Sequence, residues 1–288
     1  MQKTLTTKLV ATTIALVLIV ALILCIAPVQ TAHAEEAVWE KVDYETYFNK
    51  EITEAGDCYG GHVADITCLR KYRYIYVFMT GAGGLGGASE DGKSAGYGGG
   101  GGAFIVAKID LTKTEDFIIV LGKGGGKFTF GSNDPDHEDG DGHPSSIWAM
   151  RAGTEQRPFA LDAVGCLGGK YGTSSNPGEG AMAIKEPTQN NLMQLIYAQD
   201  GVDGGQASHS FSVDLGFRTE HFIYRPAGAT PSGKGGGASV YHRGGDGGVL
   251  YKNGSDGSMG AGGGGAGRGA TQGGYGGDAY MEIYGSNM

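Results

Sequence analysis

Glycine is absent from the first 55 residues and then dominates: all 56 glycines lie at or after Gly56. From there on it supplies about one residue in four, against about 7% in an average chain. Ordering Gly costs more backbone entropy than ordering any other residue. Such a chain is therefore either a flexible linker or a scaffold pinned by something else. A linker of Gly and Ser runs on without interruption. Here the glycine tracts alternate with runs of β-branched and aromatic residues: Tyr72–Met79, Phe104–Ile109, Phe117–Leu121, Ser145–Trp148, Ala160–Val164 and Ala279–Tyr284. Runs of this kind bounded by Gly are strand signals. A chain that keeps returning to a sheet holds each tract at both ends. The predicted fold class is all-β, with a β-sandwich drawn from 70–130, 145–165 and 279–285 joined to a bundle of extended polyglycine-type helices.

The tracts also repeat every three residues. Gly81, Gly84 and Gly87 form one row, Gly96, Gly99 and Gly102 a second, and Gly254, Gly257, Gly260 and Gly263 a longer one. A left-handed extended helix with three residues per turn places each row along one edge. That helix has no internal hydrogen bonds, so its buried N–H and C=O groups must pair with neighbouring segments. Collagen is excluded, because no strict Gly-X-Y run rich in Pro occurs.

The N-terminus reads as a secretory signal over residues 1–34. Lys3 and Lys8 precede an apolar run from Leu9 to Val29, and Ala32-His33-Ala34 gives a small-x-small site ahead of Glu35 and Glu36. The same run is long enough to be a retained membrane anchor, so cleavage and anchoring both stay open. The expected location is secreted or cell-surface. Residues 35–69 are read as an N-terminal extension with a possible Cys58–Cys68 staple, and 70–288 as the glycine-rich domain. Export permits disulfides, but the remaining Cys166 has no partner and reads as a small packed residue.

The formal charge is −9, and loss of Lys3 and Lys8 takes it to about −11, which repels phosphate backbones and anionic lipid. Nucleic acid is therefore not an expected partner, nor is a membrane for the mature chain.

The order Thr80-Gly81-Ala82-Gly83-Gly84-Leu85-Gly86-Gly87, then Gly98–Gly102 with Ala103-Phe104, resembles the glycine-rich domain of phage tail fibres and related bacterial surface proteins. The likeness runs on through Val120–Gly126, Gly142–Ser146 and Ala163–Gly169 to Gly273–Tyr280, covering about residues 70–285. It is also similar to the extracellular glycine-rich domain of anaplastic lymphoma kinase receptors. The resemblance implies a β-sandwich joined to polyglycine helices and used in adhesion or ligand recognition. Departures are Met182–Gln199 and His209–Arg225, poor in Gly, and a signal peptide, which tail fibres lack.

One motif points to an enzyme. Gly81-Ala82-Gly83-Gly84-Leu85-Gly86 is a formal G-x-G-x-x-G after an apolar strand, as in dinucleotide sites. That site needs a helix to follow, and nine glycines between Leu85 and Ala103, at about 1 kcal/mol each, exclude one. Neither catalysis nor a nucleotide cofactor is expected. The stretch Asp134–His143 holds five carboxylates and two imidazoles. Its oxygens suit Ca²⁺, but the EF-hand order fails at Asp139, and a solvated turn is the competing reading.

A glycine bundle offers few side chains, so binding is expected from the loops and inserts it carries. Tyr197, Tyr224 and Arg225 in the two glycine-poor departures are the predicted contacts, with Tyr241 and Tyr275 as lesser ones. Tyr and Arg bring area and a polar handle. The expected function is a non-catalytic binding or adhesion module for a cell-surface glycan or protein. The alternative is a structural or matrix-forming extracellular protein, and homo-oligomerisation is open under both.

Overall fold

Strict alternation along one strand organises the molecule. In the computed structural model, β4 (Tyr74–Thr80) turns Ile75, Val77 and Met79 to one face and Tyr74, Tyr76 and Phe78 to the other, and each face joins a different core. Residues described are 38–43, 50–52, 59–63, 69–126, 140–154, 156, 158–184, 189–206 and 209–288. Residues 1–34, expected to be a signal, and Cys58 and Cys68, expected as a staple, lie outside them.

Twelve strands are described: β1 (Trp39–Lys41), β2 (Lys50–Ile52), β3 (Tyr59–Val63), β4, β5 (Phe104–Asp110), β6 (Asp116–Gly122), β7 (Ser145–Arg151), β8 (Ala160–Cys166), β9 (Met193–Gln199), β10 (His209–Asp214), β11 (Thr219–Tyr224) and β12 (Met281–Ser286). They make a five-stranded sheet ordered β1-β12-β4-β5-β9, a second ordered β2-β3-β6-β7-β8, and a β10–β11 hairpin. Every pairing is antiparallel. The all-β expectation holds, and each of the six runs read as strands lies largely or wholly in β4–β8 or β12. Five strands and the hairpin partner β10 were not foreseen as such. β1, β2 and β3 come from the N-terminal extension, and β9, β10 and β11 from the two glycine-poor departures. No helix among the described residues is long and apolar enough to cross a membrane.

The two five-stranded sheets share one core. Ile75, Val77, Met79, Ile105, Ala107, Ile109, Met281 and Ile283 of the first sheet cluster with Phe117, Ile119, Ile147, Ala149, Val164 and Cys166 of the second. Each large aliphatic or aromatic side chain buried this way contributes about 1.5–3 kcal/mol. Cys166 is buried, and burial pushes its thiol well above the usual range, so it is an inert packing residue. Asp162 of β8 is 2% exposed and accepts hydrogen bonds from the backbone N–H groups of Asn190 (2.8 Å), Leu192 (2.8 Å) and Met193 (3.3 Å). That carboxylate fastens the entry to β9 onto the second sheet.

The glycine segments leave the sheets at their strand ends and bond to one another in rotation. Gly81, Gly84 and Gly87 donate to the carbonyls of Ala103, Gly100 and Tyr97 at 2.8, 2.9 and 2.7 Å. The next residues, Ala82 and Leu85, donate to His143 and Gly140, and Gly83 and Gly86 donate to Gly277 and Gly274. The segment at 260–267 does the same. Gly262 and Gly265 reach Gly237 and Lys234, Gly263 and Ala266 reach Gly84 and Gly87, and Gly264 and Gly267 reach Ser255 and Lys252. Every third amide thus meets the same neighbour. The approach is so close that a Cβ added at Gly84 would overlap the carbonyl of Lys170, and one at Gly262 the carbonyl of Gly99.

Candidate functional site

The second face of the first sheet is aromatic and is roofed by the hairpin. Phe211 and Phe222 are cross-strand partners on the inner face of β10–β11, and Val213 lies beside them. They pack on Tyr76, Phe78, Phe104 and Val106, with ring centroids 5.0 Å apart for Phe104–Phe222 and 5.9 Å for Phe104–Phe211. The turn is closed by Leu215 N–H donating to Arg218 O (2.9 Å) and Gly216 N–H to Asp214 Oδ1 (2.8 Å). Gly216 sits at φ +88°, a left-handed conformation that a side chain resists. Phe217 at the turn meets Trp39 at 5.2 Å, and Trp39 stacks on Tyr284 at 4.8 Å. This layer holds the hairpin as a fixed platform.

Beside β11 lies a groove of about 400 Å³ lined by His221, Phe222, Ile223, Arg225, Val240, Tyr241, His242 and Arg243. One wall is β11, whose outer face carries His221, Ile223 and, just past its end, Arg225, all exposed. The other wall is a turn set by Ser239, whose Oγ accepts from the N–H groups of Tyr241 (3.3 Å) and His242 (3.0 Å). His221 Nδ1 lies 2.8 Å from Ser212 Oγ, and His242 Nδ1 lies 2.7 Å from Arg243 O. Arg243 pairs with Asp246 at 2.8 Å, whereas Arg225 has no ion pair or side-chain hydrogen bond among the described residues. No carboxylate is among the described residues that line the groove. A second groove of about 430 Å³ lies by β1 and β12, lined by Lys41, Val42, Asp43 and Tyr280–Ile283. Its charges are mixed, and Lys41 is already paired with Glu282.

Of the predicted contacts, Arg225 and Tyr241 meet in the first groove. The Tyr241 ring packs edge-on against Tyr280 at 4.7 Å, and its hydroxyl is buried with no hydrogen-bond partner among the described residues. Burial pushes that hydroxyl well above its usual pKa. Tyr224 is corrected: it is fully buried against Val202, Ala238 and Phe211, and its hydroxyl reaches Asp200 O at 3.5 Å. Neighbouring residues of a strand point to opposite faces, so Tyr224 and Arg225 cannot both meet solvent. Tyr197 is half-buried, stacked on Phe211 at 5.2 Å, with its hydroxyl donating to Gln199 Oε1 (3.0 Å). It sits on β9, at the end of its sheet's strand order, and does not line the groove. Tyr275 is exposed on a glycine segment, its N–H held by Asp256 Oδ1 (2.8 Å), and it joins neither groove. The groove residues missed are His221, Ile223, Val240, His242 and Arg243. The run His221-Phe222-Ile223-Tyr224-Arg225, taken at a period of two, contains the first two.

The other motifs resolve as backbone. Gly81–Gly86 runs extended, and no helix lies between it and β5. Of the acidic stretch, 134–139 lie outside the described residues. Asp141 accepts from Lys170 Nζ (2.5 Å) and Tyr171 N–H (2.9 Å). Among the described residues no group of three or more His, Cys, Asp or Glu is placed to hold a metal.

The family model for the glycine-rich domain matches residues 60–287. The match covers well over half of the chain, and the protein belongs to the glycine-rich domain family. No curated protein matches the chain.

Proposed function

We propose that this member of the glycine-rich domain family is a secreted or surface-displayed, non-catalytic binding module. Its glycine segments form a bundle of polyglycine helices that, with a β-sandwich, presents the β10–β11 hairpin to a partner. The rotation of every third amide to the same neighbour supports the bundle, because a helix of three residues per turn repeats its edges at that interval. Close backbone packing of this kind makes a stiff mount, and a stiff mount limits the ordering cost of binding. The observation that carries the functional reading is the groove beside β11: exposed Ile223 and unpaired Arg225 face a turn bearing His242 and Arg243 on an otherwise acidic protein. Exposed apolar surface flanked by Arg is the composition of recognition sites. The partner is a cell-surface protein or glycan, no cofactor is required, and the N-terminal segment directs export.

The test is saturable binding of the purified, labelled mature chain to cells and to a glycan array, with size-exclusion chromatography alongside. A discrete species that binds saturably supports the module. Concentration-dependent polymers without saturable binding would replace it with a matrix-forming protein.

A further inference from the structure

The lining of the groove has a pattern that a cluster of outward-facing side chains does not produce. His221, Phe222 and Ile223 are consecutive, and all three border it, although Phe222 turns its ring into the aromatic layer. Successive residues of a strand border one groove only where that groove follows the strand's edge. Among the described residues β11 pairs with β10 alone. Beyond that pairing, the N–H and C=O groups of Glu220–Ile223 make no hydrogen bond with any described residue. An open edge of unpaired backbone groups is a template for another strand. Glu220 at the start of this edge is paired with Arg218, and Arg243 across the groove with Asp246, which leaves Arg225 as the lining cation without an ion pair among the described residues, in a chain with 31 acidic and 22 basic residues.

We infer that β11 is a docking strand: an extended acidic segment of a protein partner adds beside it as a third strand, with its carboxylates on Arg225 and the opposite wall. The inference rests on the binding-module reading and names the partner's chemistry. Backbone hydrogen bonds along β11 supply affinity, and alternate side chains supply specificity, one set on exposed Ile223 and the other along the Ser239–Arg243 turn. The Arg225 guanidinium offers a planar fork that takes a carboxylate through two parallel hydrogen bonds. The second groove does not compete for this role, since Asp43 and Glu282 repel an acidic strand there.

The experiment is fluorescence anisotropy on the full mature chain with an eight-residue peptide alternating Glu and Val. Its controls are Lys/Val and Ser/Val peptides of the same length and the acidic peptide with alternate backbone nitrogens methylated. The acidic peptide is expected to bind saturably, at least tenfold tighter than either control peptide. Methylation of the edge that meets β11 is expected to lower affinity at least tenfold, and Arg225→Glu to lower it as much with an unchanged circular dichroism spectrum. Equal binding of the methylated and parent peptides would overturn strand addition, as would a sulfated oligosaccharide that binds more tightly than the peptide. Absence of saturable binding by the acidic peptide would overturn it as well. Cell-surface binding that survives Arg225→Glu would overturn this inference while the module stands, and loss of all cell-surface binding in the wild type would remove both.

Discussion

The sheets and the glycine segments solve the same packing problem in opposite ways. In the sheets, position is set by side chains: Ile75, Val77 and Met79 enter one core, and Tyr76 and Phe78 the other, because a strand alternates. In the glycine segments, position is set by the missing side chain. Backbones approach until a carbonyl of one segment occupies the space of a Cβ in the next, as Gly84 O does at Gly99 and Gly99 O at Gly262. Removing atoms therefore damages the first region, and adding them damages the second.

The sharpest way to break this contrast is a single added methyl. At Gly99 a Cβ would overlap Gly84 O and lie 2.5 Å from Gly84 C and Leu85 O, all of them backbone. Nothing flexible can yield, so Gly99→Ala must separate segments that bond in rotation. The expected cost is more than about 4 kcal/mol, in the range of large core defects. Gly92 is the control: its Cβ would meet nothing within 4 Å, and only its φ of +66° opposes a side chain. Gly92→Ala is expected to cost about 1–2 kcal/mol. Urea unfolding of both variants decides it, and a Gly99→Ala protein within 1 kcal/mol of wild type would show that the segments are loosely packed.

The next test divides two adjacent residues between the two behaviours. Tyr224 is fully buried, and Tyr224→Ala is expected to cost about 3–5 kcal/mol, as for other large aromatic truncations. Arg225 is exposed, and Arg225→Ala is expected to stay within about 0.5 kcal/mol of wild type. Thermal melts of the two single variants measure the split. Reversed effects, with Arg225→Ala the costlier, would mean that the hairpin is rotated about its strand axis, with Arg225 rather than Tyr224 packed beneath it.

These cases show what was legible. The run Phe104–Ile109 is legible as a strand because it follows the Gly98–Gly102 tract and is apolar but for Lys108, as expected of a central strand covered on two sides. Two of the three-residue rows, Gly81–Gly84–Gly87 and Gly96–Gly99–Gly102, each bond along a single neighbour, whereas the longest is broken near Gly260, at φ +82°: Gly257 and Gly260 reach Tyr275 and Asp278, and Gly263 reaches Gly84. The hairpin was harder to see. His209–Asp214 carries only Phe211 and Val213 as apolar residues, and Thr219–Tyr224 runs from three polar residues into Phe222-Ile223-Tyr224, so both read as departures from the glycine pattern rather than as strands. The N-terminal strands are short, and their pairing with β12 and β6 depends on contacts more than 50 residues away in sequence. Residue type alone puts Tyr224 at the surface, whereas strand parity puts it on the same face as Phe222, which is where it is buried. The groove combines β11 with a turn from 239–243, and no local pattern joins those two segments.

The smallest effect concerns polar atoms, which the two regions also treat differently. In the glycine segments the amides rotate among neighbours, and each of those described for Gly81–Gly87 has an acceptor. On the aromatic face, the Tyr76 hydroxyl is buried without a hydrogen-bond partner among the described residues. Burial pushes that hydroxyl up to about 12 from its ordinary 10.0, and burial also raises Tyr197, Tyr241 and Tyr284. The sign follows from linkage. The unfolded chain ionises these phenols first, so the stability they contribute is fully present below about pH 10 and is lost as pH rises from there through the folded values. Tyr76→Phe removes an unpaired buried hydroxyl and keeps the ring. It is expected to leave stability at pH 7 unchanged or to raise it by up to about 1 kcal/mol. It should also make the loss above pH 10 shallower, by up to about 1.4 kcal/mol per pH unit, the share of one titrating group. Denaturant melts at pH 7, 10 and 11 on both proteins read the two effects together. A Tyr76→Phe protein destabilised by more than 1 kcal/mol at pH 7 would mean that the hydroxyl is hydrogen-bonded, and the sheets would then satisfy their buried polar atoms as fully as the glycine segments do.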